Sequence, residues 1–147
     1  LFVRNIPVIE EFVNSSEEMV LAKGLRSREG GNLLFRPIAL SQFVIAILEY
    51  KKRKNTDIES AIQRLAGIPM AIQDRPWKNV LWLDERKNVN GRVSKKELMN
   101  LMLFLADEGL LTKKEKDDLI KYILAVRDMD VSGYDELLGQ LREFQVG

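Results

Sequence analysis

The segment from Arg86 to Glu97 has the residue types of a calcium-binding loop. Asn, Gly, Ser and Glu recur at the EF-hand ligand spacing, with Asn88, Asn90, Gly91, Val93, Ser94 and Glu97 at loop positions 3, 5, 6, 8, 9 and 12. Position 1, which should hold an aspartate, is Arg86, and position 7 is Arg92. Because two cations disfavour calcium, the pattern predicts a turn capped by short polar residues, and a degenerate calcium-binding domain is kept as an alternative.

A second stretch begins in the same way at Asp128, with Asp130, Ser132 and Gly133 following it. The later positions depart from the loop pattern, since the chain has Asp135 where an apolar residue belongs. Gly139 stands where a bidentate glutamate would close the site, so no metal ligands are predicted.

The densest basic run is Lys51, Lys52, Arg53 and Lys54, directly after a long apolar stretch. Four adjacent cations are suited to DNA phosphates, which makes them candidate contacts for a DNA-binding function. Cations also favour the C-terminal end of a helix without any ligand, and that reading stays open.

The segments 94–106 and 113–126 have the arrangement of a helix-turn-helix, whose second helix would present lysines to DNA. Glu115, Asp117 and Asp118 interleave with those lysines and would repel phosphate. A solvent-exposed, charge-mixed helix face is therefore the better interpretation.

The composition removes most catalytic chemistry. With no histidine and no cysteine, the chain has no Ser-His-Asp triad, imidazole base, thiolate nucleophile or histidine-ligated metal. Adjacent carboxylates such as Glu10 and Glu11 point about 100° apart on a helix and do not converge. The chain is predicted to be neither an enzyme nor a cofactor protein; a magnesium-dependent nuclease would have to use Asp84, Glu85, Asp128 or Asp130.

The 147 residues, 46% hydrophobic, fit one domain with a single core. Its 23 basic and 22 acidic residues nearly cancel, so no overall field selects nucleic acid or membrane. A cysteine-free chain without an apolar stretch of about 20 residues is predicted to be cytoplasmic and not membrane-bound. Because it starts at Leu1 rather than Met, we expect a piece of a longer protein.

Apolar periodicity predicts a mostly α-helical, compact domain. Its core is expected to be two central helices, 37–53 and 94–107, because these are apolar on nearly every side. Pro37 is suited to the first position of one helix, and Ser94 and Thr112 have the capping-box spacing that begins two others. Further helices are predicted at 8–13, 16–24, 56–66 and 134–144, with short β pairing near 33–35 and 80–83.

Trp77 and Trp82 lie in an irregular segment with many turn residues. Anchoring of this segment on the core is predicted for Trp82 and, less clearly, for Trp77. Trp77 is therefore kept as a candidate partner contact.

At Gly31-Asn32-Leu33-Leu34-Phe35-Arg36-Pro37, and again at Pro76-Trp77-Lys78-Asn79-Val80-Leu81-Trp82, the chain resembles DGQHR-domain proteins. The resemblance covers roughly residues 28–125 and the C-terminal part of that family, which includes DndB-like proteins associated with DNA phosphorothioate modification. The Asp-Gly-Gln-His-Arg motif that names the family is expected upstream, and it is absent from this histidine-free chain.

The resemblance implies a bacterial DNA-modification or defence-associated protein of which this chain is a non-catalytic helical module. Its expected partner is its own N-terminal domain, another protein or a second copy, and direct DNA binding is the alternative. Arg36 is the motif residue with polar chemistry. It would contact phosphate or the N-terminal domain, or would serve the fold by satisfying carbonyl groups or a carboxylate.

Overall fold

The computed structural model describes residues 30–147. This part of the chain is mostly α-helical, as the sequence predicts. Its helices are α1 (Pro37–Lys54), α2 (Ile58–Leu65), α3 (Lys95–Asp107), α4 (Lys113–Val126) and α5 (Tyr134–Arg142). The helices predicted at 8–13 and 16–24 lie outside the described residues. Within 30–147, no helix has the length and apolar character needed to cross a membrane.

The core is built around α3, which is buried on nearly every side. Its residues from Leu101 to Ala106 are all buried. Helix α1 packs against α3 and α2, and α4 packs against both α3 and α5. The prediction of a central buried helix at 94–107 is confirmed.

The matching prediction for α1 is wrong in one respect. One face of α1 is buried through Phe43, Ala46 and Ile47, but the opposite face is open. Among the described elements, those that pack on α1 include α2, α3 and the short 3₁₀ helices Leu33–Phe35 and Glu108–Leu110, and they leave Val44, Ile45 and Leu48 exposed. An apolar residue on every side of a helix is thus no proof that every side is covered.

The predicted short β pairing is confirmed at one of its two places. Strands β1 (Trp82–Leu83) and β2 (Asn88–Val89) form an antiparallel pair in which Trp82 faces Val89. The other place, Leu33–Phe35, is a 3₁₀ helix, because the Asn32 side chain accepts from the N–H of Leu34 and begins a turn there. Extended pairing is limited to the preceding residue, where Asn32 bridges Ala71.

Local caps begin α1, α3 and α4 where the sequence predicts them, whereas α2, predicted from residue 56, begins at Ile58 because the Asp57 side chain caps it. Pro37 is the first residue of α1, and Thr112 and Glu115 form a complete capping box before α4. At α3 the box is half-formed. The Ser94 hydroxyl accepts from the N–H of Glu97, but the N–H of Ser94 donates to the Tyr122 hydroxyl at 2.9 Å.

Candidate functional site

The predicted basic run at the end of α1 does not form a surface of four cations. The Arg53 guanidinium binds both carboxylate oxygens of Glu115, at 2.9 and 3.0 Å, and its Nε donates to Glu49 at 3.0 Å. The hydrogen bonds to Glu115 raise the pKa of Arg53 against the opposing effect of burial. Lys54 pairs with Asp107 at 3.1 Å. Two of the four candidate DNA contacts therefore hold the fold together.

Lys51 and Lys52 remain exposed, without an ion pair among the described residues. They lie in the last turn of α1, where a cation interacts favourably with the helix dipole. These two lysines are the part of the predicted patch that is accessible to a binding partner.

Arg36 contacts a backbone carbonyl of the fold, as one of its two interpretations predicts. Its Nη2 donates to the carbonyl of Gly30 at 2.9 Å, and its guanidinium carbon lies 5.7 Å from the ring centroid of Trp82. The residue thus ties the incoming chain and the tryptophan to the start of α1.

Trp77 and Trp82 are both core residues, with 0% and 1% of their surface exposed. The indole Nε1 of Trp77 donates to the carbonyl of Pro69 at 3.1 Å. The prediction that Trp82 anchors the segment is confirmed. In this structure Trp77 is not available as a partner contact, because the 3₁₀ turn Arg75–Trp77 directs it into the core.

The two calcium-like stretches have other structures. The first contains strand β2 and the cap of α3, and Asn90 is engaged by the carbonyl of Val80 and the N–H of Arg92. In the second, Gly133 occupies the position at which a calcium loop needs a glycine for its sharp turn. Its φ is −82°, a value that residues other than glycine also adopt, so the backbone here does not use the freedom of glycine. No group of three or more His, Cys, Asp or Glu side chains in residues 30–147 is placed to hold a metal ion.

The lysines of the helix-turn-helix interpretation are largely paired with neighbouring acids. Their ion pairs are Lys114–Asp118, Lys116–Glu108 and Lys121–Asp117. This is the charge-mixed helix face that the alternation of signs predicts.

The open face of α1 is the most distinctive surface in the described part of the chain. Ser41, Val44, Ile45 and Leu48 lie there at the i, i+3, i+4 and i+7 spacing of one helix face, and we call these four residues the outer stripe. Val44, Ile45 and Leu48 are 44%, 43% and 53% exposed. Lys51 and Lys52 continue the same helix beyond it.

The sequence does not predict the outer stripe, because the apolar pattern of residues 37–53 assigns Val44, Ile45 and Leu48 to the core. The one available signal is that an isolated domain of this size rarely needs a helix with apolar residues on all sides. The stripe has no carboxylate, and its one hydroxyl, that of Ser41, donates to the carbonyl of Ile38 at 2.9 Å, so its chemistry is binding. It is suited to apolar side chains of another segment, and the two lysines favour acidic residues at the edge of that segment.

No protein-family model, curated protein or solved structure matches the chain. The resemblance to DGQHR-domain proteins therefore stays a prediction.

Proposed function

We propose that this chain is a non-catalytic helical docking module and that the outer stripe of α1 is its docking surface. The observation that carries the proposal is the clustering of Val44, Ile45 and Leu48, each about half-exposed, on one helix face. Single exposed apolar residues are common, whereas a contiguous apolar patch usually marks an interaction site.

The occupant that we propose is the polypeptide preceding Gly30. Gly30 is held by Arg36 beside the first turn of α1, so the preceding chain starts next to the helix that carries the stripe. Leu48 lies twelve residues after Arg36, or about 18 Å along a helix. About six residues of extended chain span that distance. The 29 preceding residues can therefore reach the whole stripe.

The chemistry of those residues matches the stripe. Their sequence contains Val8, Ile9, Phe12 and Val13, with Glu10, Glu11, Glu17 and Glu18 among and after them. The apolar side chains suit the outer stripe, and the glutamates suit Lys51 and Lys52. A second copy of the chain is a poorer match, because a stable dimer interface needs roughly 20 residues a side and the stripe has four.

The same proposal assigns the module to a DNA-modification or defence-associated protein of the DGQHR or DndB-like kind. Its support is the resemblance of residues 31–37 and 76–82 to that family.

Disulfide trapping tests the docking surface, since the natural chain contains no cysteine to interfere. Variants of the 147-residue chain carry Leu48→Cys together with a cysteine at Val8 or Phe12, and they are oxidised at low concentration. We expect a disulfide within one chain, seen as altered migration without reductant and located by mass spectrometry. The matched control replaces Leu48→Cys by Val131→Cys, because Val131 is exposed but lies in the turn before α5.

Trapping that does not exceed this control would overturn the proposed occupant, as would disulfides formed only between chains, which indicate a second copy. Adding Ile45→Lys should lower the trapped fraction, because the charge lies in the stripe but outside the core. If Ile45→Lys left the trapped fraction unchanged, the disulfide would form by random collision of the two cysteines, and docking on the stripe would be contradicted.

A further inference from the structure

A cleft to which α1 contributes no lining residue has an unusual composition. It lies between the 3₁₀ turn Arg75–Trp77 and the connection from α4 to α5, and its volume is about 390 Å³. The residues that line it are Arg75, Lys78, Asn79, Arg127, Met129 and Gln140. Three are cations, two are amides, and none is a carboxylate.

Arg127 is the half-buried cation of this cleft. Its Nε donates to the carbonyl of Lys78 at 3.0 Å, and its Nη2 donates to the carbonyl of Arg75. It makes no ion pair with any carboxylate of residues 30–147. A guanidinium has five N–H donors, so three remain for a ligand.

Arg75 and Lys78 add positive charge to the cleft, and no ion pair among the described residues neutralises it. The side chains of Arg75 and Lys78 are exposed and make no ion pair within the described residues. Burial and, secondarily, the charge of Arg75 lower the pKa of Arg127. An anion in the cleft would relieve both effects, since it offsets the desolvation of one guanidinium and the repulsion between two.

A purely structural role explains only part of this arrangement. Arg127 clamps the turn at residues 75–78, which accounts for its two carbonyl contacts. That role accounts for the position of the residue 75–78 backbone beside Arg127, but it gives no reason for the cleft to be lined by three cationic residues and no carboxylate. A neighbouring cleft of about 430 Å³ shares Arg127 but also contains Arg86, Glu85 and Asp128, so its charges balance. Of these two clefts, only the first has an excess of positive charge.

We propose that the cleft lined by Arg75, Lys78 and Arg127 binds a ligand through two adjacent phosphate groups. Three cations complement the charge of a diphosphate, and arginine and lysine are the usual phosphate-binding residues. The volume suits a nucleotide-sized ligand better than a single small anion. The two amides, Asn79 and Gln140, supply hydrogen-bonding groups for the rest of that ligand. This site is separate from the outer stripe of α1 and does not depend on docking there.

Two sources can supply adjacent phosphates, a free nucleoside diphosphate or the backbone of nucleic acid. The full chain is titrated by calorimetry at low salt with pyrophosphate, with adenosine diphosphate and with a short DNA duplex. We expect pyrophosphate to bind with a sub-millimolar Kd. Tighter binding of adenosine diphosphate than of pyrophosphate would identify a nucleotide site. Tighter binding of the duplex, with a steep salt dependence, would identify nucleic-acid phosphates.

The deciding variant is Arg75→Gln/Lys78→Gln, which removes two exposed cations and leaves the Arg127 clamp in place. We expect a rise of at least tenfold in the Kd for pyrophosphate and a smaller rise for Lys78→Gln alone. The matched control is Lys95→Gln/Lys96→Gln, which changes the net charge equally at two exposed lysines in the first turn of α3. Circular dichroism confirms that each variant keeps its helices.

Absence of binding by all three probes would overturn the proposal. So would equal weakening by the two double variants, because that result would show a general charge effect. Retention of affinity by Arg75→Gln/Lys78→Gln would exclude this cleft as the site.

Discussion

Arg53 and Glu115 form a bidentate ion pair that joins the C-terminal turn of α1 to the first turn of α4. The two N···O distances are 2.9 and 3.0 Å. The same Glu115 accepts the N–H of Thr112 at 2.9 Å and so closes the capping box of α4. Arg53 also donates to the carbonyl of Leu110, which places one guanidinium at the junction of three chain segments.

Arg53→Met is expected to lower the free energy of unfolding by about 1.5–3 kcal/mol, the range for hydrogen bonds to charged groups. The matched variant Lys52→Met, one residue earlier and exposed, should change stability by less than about 0.5 kcal/mol. Urea denaturation measures both. In a double-mutant cycle with Glu115→Gln the two effects should not add, and additivity would show that the pair does not couple the helices.

Trp77 and Trp82 should each be essential to the stability of the domain. Because both are fully buried, Trp77→Ala or Trp82→Ala should cost roughly 3–5 kcal/mol, enough to unfold a marginal domain. Single-tryptophan fluorescence checks the burial. A Trp77→Phe variant should have blue-shifted emission that acrylamide quenches poorly, and red-shifted, easily quenched emission would contradict the core position of Trp82.

Glu108 should make the fold sensitive to acid. The hydrogen bonds from Arg142, supported by Gln145 and Lys116, lower its pKa to about 2 from the usual 4.5. The folded state therefore holds this proton less tightly than the unfolded state, and the resulting stability is present above pH 4.5. It is lost progressively as the pH falls from 4.5 toward 2.

Glu108→Gln should flatten the dependence of the melting temperature on pH in that window. Glu136→Gln is the control, since Glu136 is an exposed carboxylate of α5 with no ion pair among residues 30–147. If the melting temperature of the Glu108→Gln variant fell with pH as steeply as that of the wild type, another group would be responsible for the acid sensitivity.

Glu97 should destabilise the fold at neutral pH. Its side chain is buried, its Oε2 has no hydrogen-bond partner in the described part, and burial raises its pKa. A raised pKa means that the folded state binds the proton more tightly, so ionisation costs stability above the unfolded value of 4.5. Glu97→Gln is thus expected to raise the melting temperature at pH 7 and to have little effect at pH 4. A lower melting temperature at pH 7 would show that the charge is needed at the start of α3.

The sequence by itself determines where three of the described helices begin, namely α1, α3 and α4. Pro37, Ser94 and Thr112 each start a helix at the position that their residue type indicates. Those signals are reliable because a helix start depends on backbone N–H groups within three residues of the cap. The sequence also shows that α3 has no polar side to expose, but α1 has the same pattern and an exposed face, so the pattern alone does not determine burial.

The tertiary structure alone decides what each surface does. The apolar residues of α1 divide into a core face and an exposed stripe according to which elements cover the helix, and its own sequence contains no sign of that choice. Arg53 looks like an accessible cation until a carboxylate 62 residues away is brought to it. Arg75, Lys78 and Arg127 are unremarkable until the chain brings residues about 50 positions apart to one cleft. Local patterns specify backbone hydrogen bonding, whereas burial and charge pairing depend on the distant segments that the fold brings together.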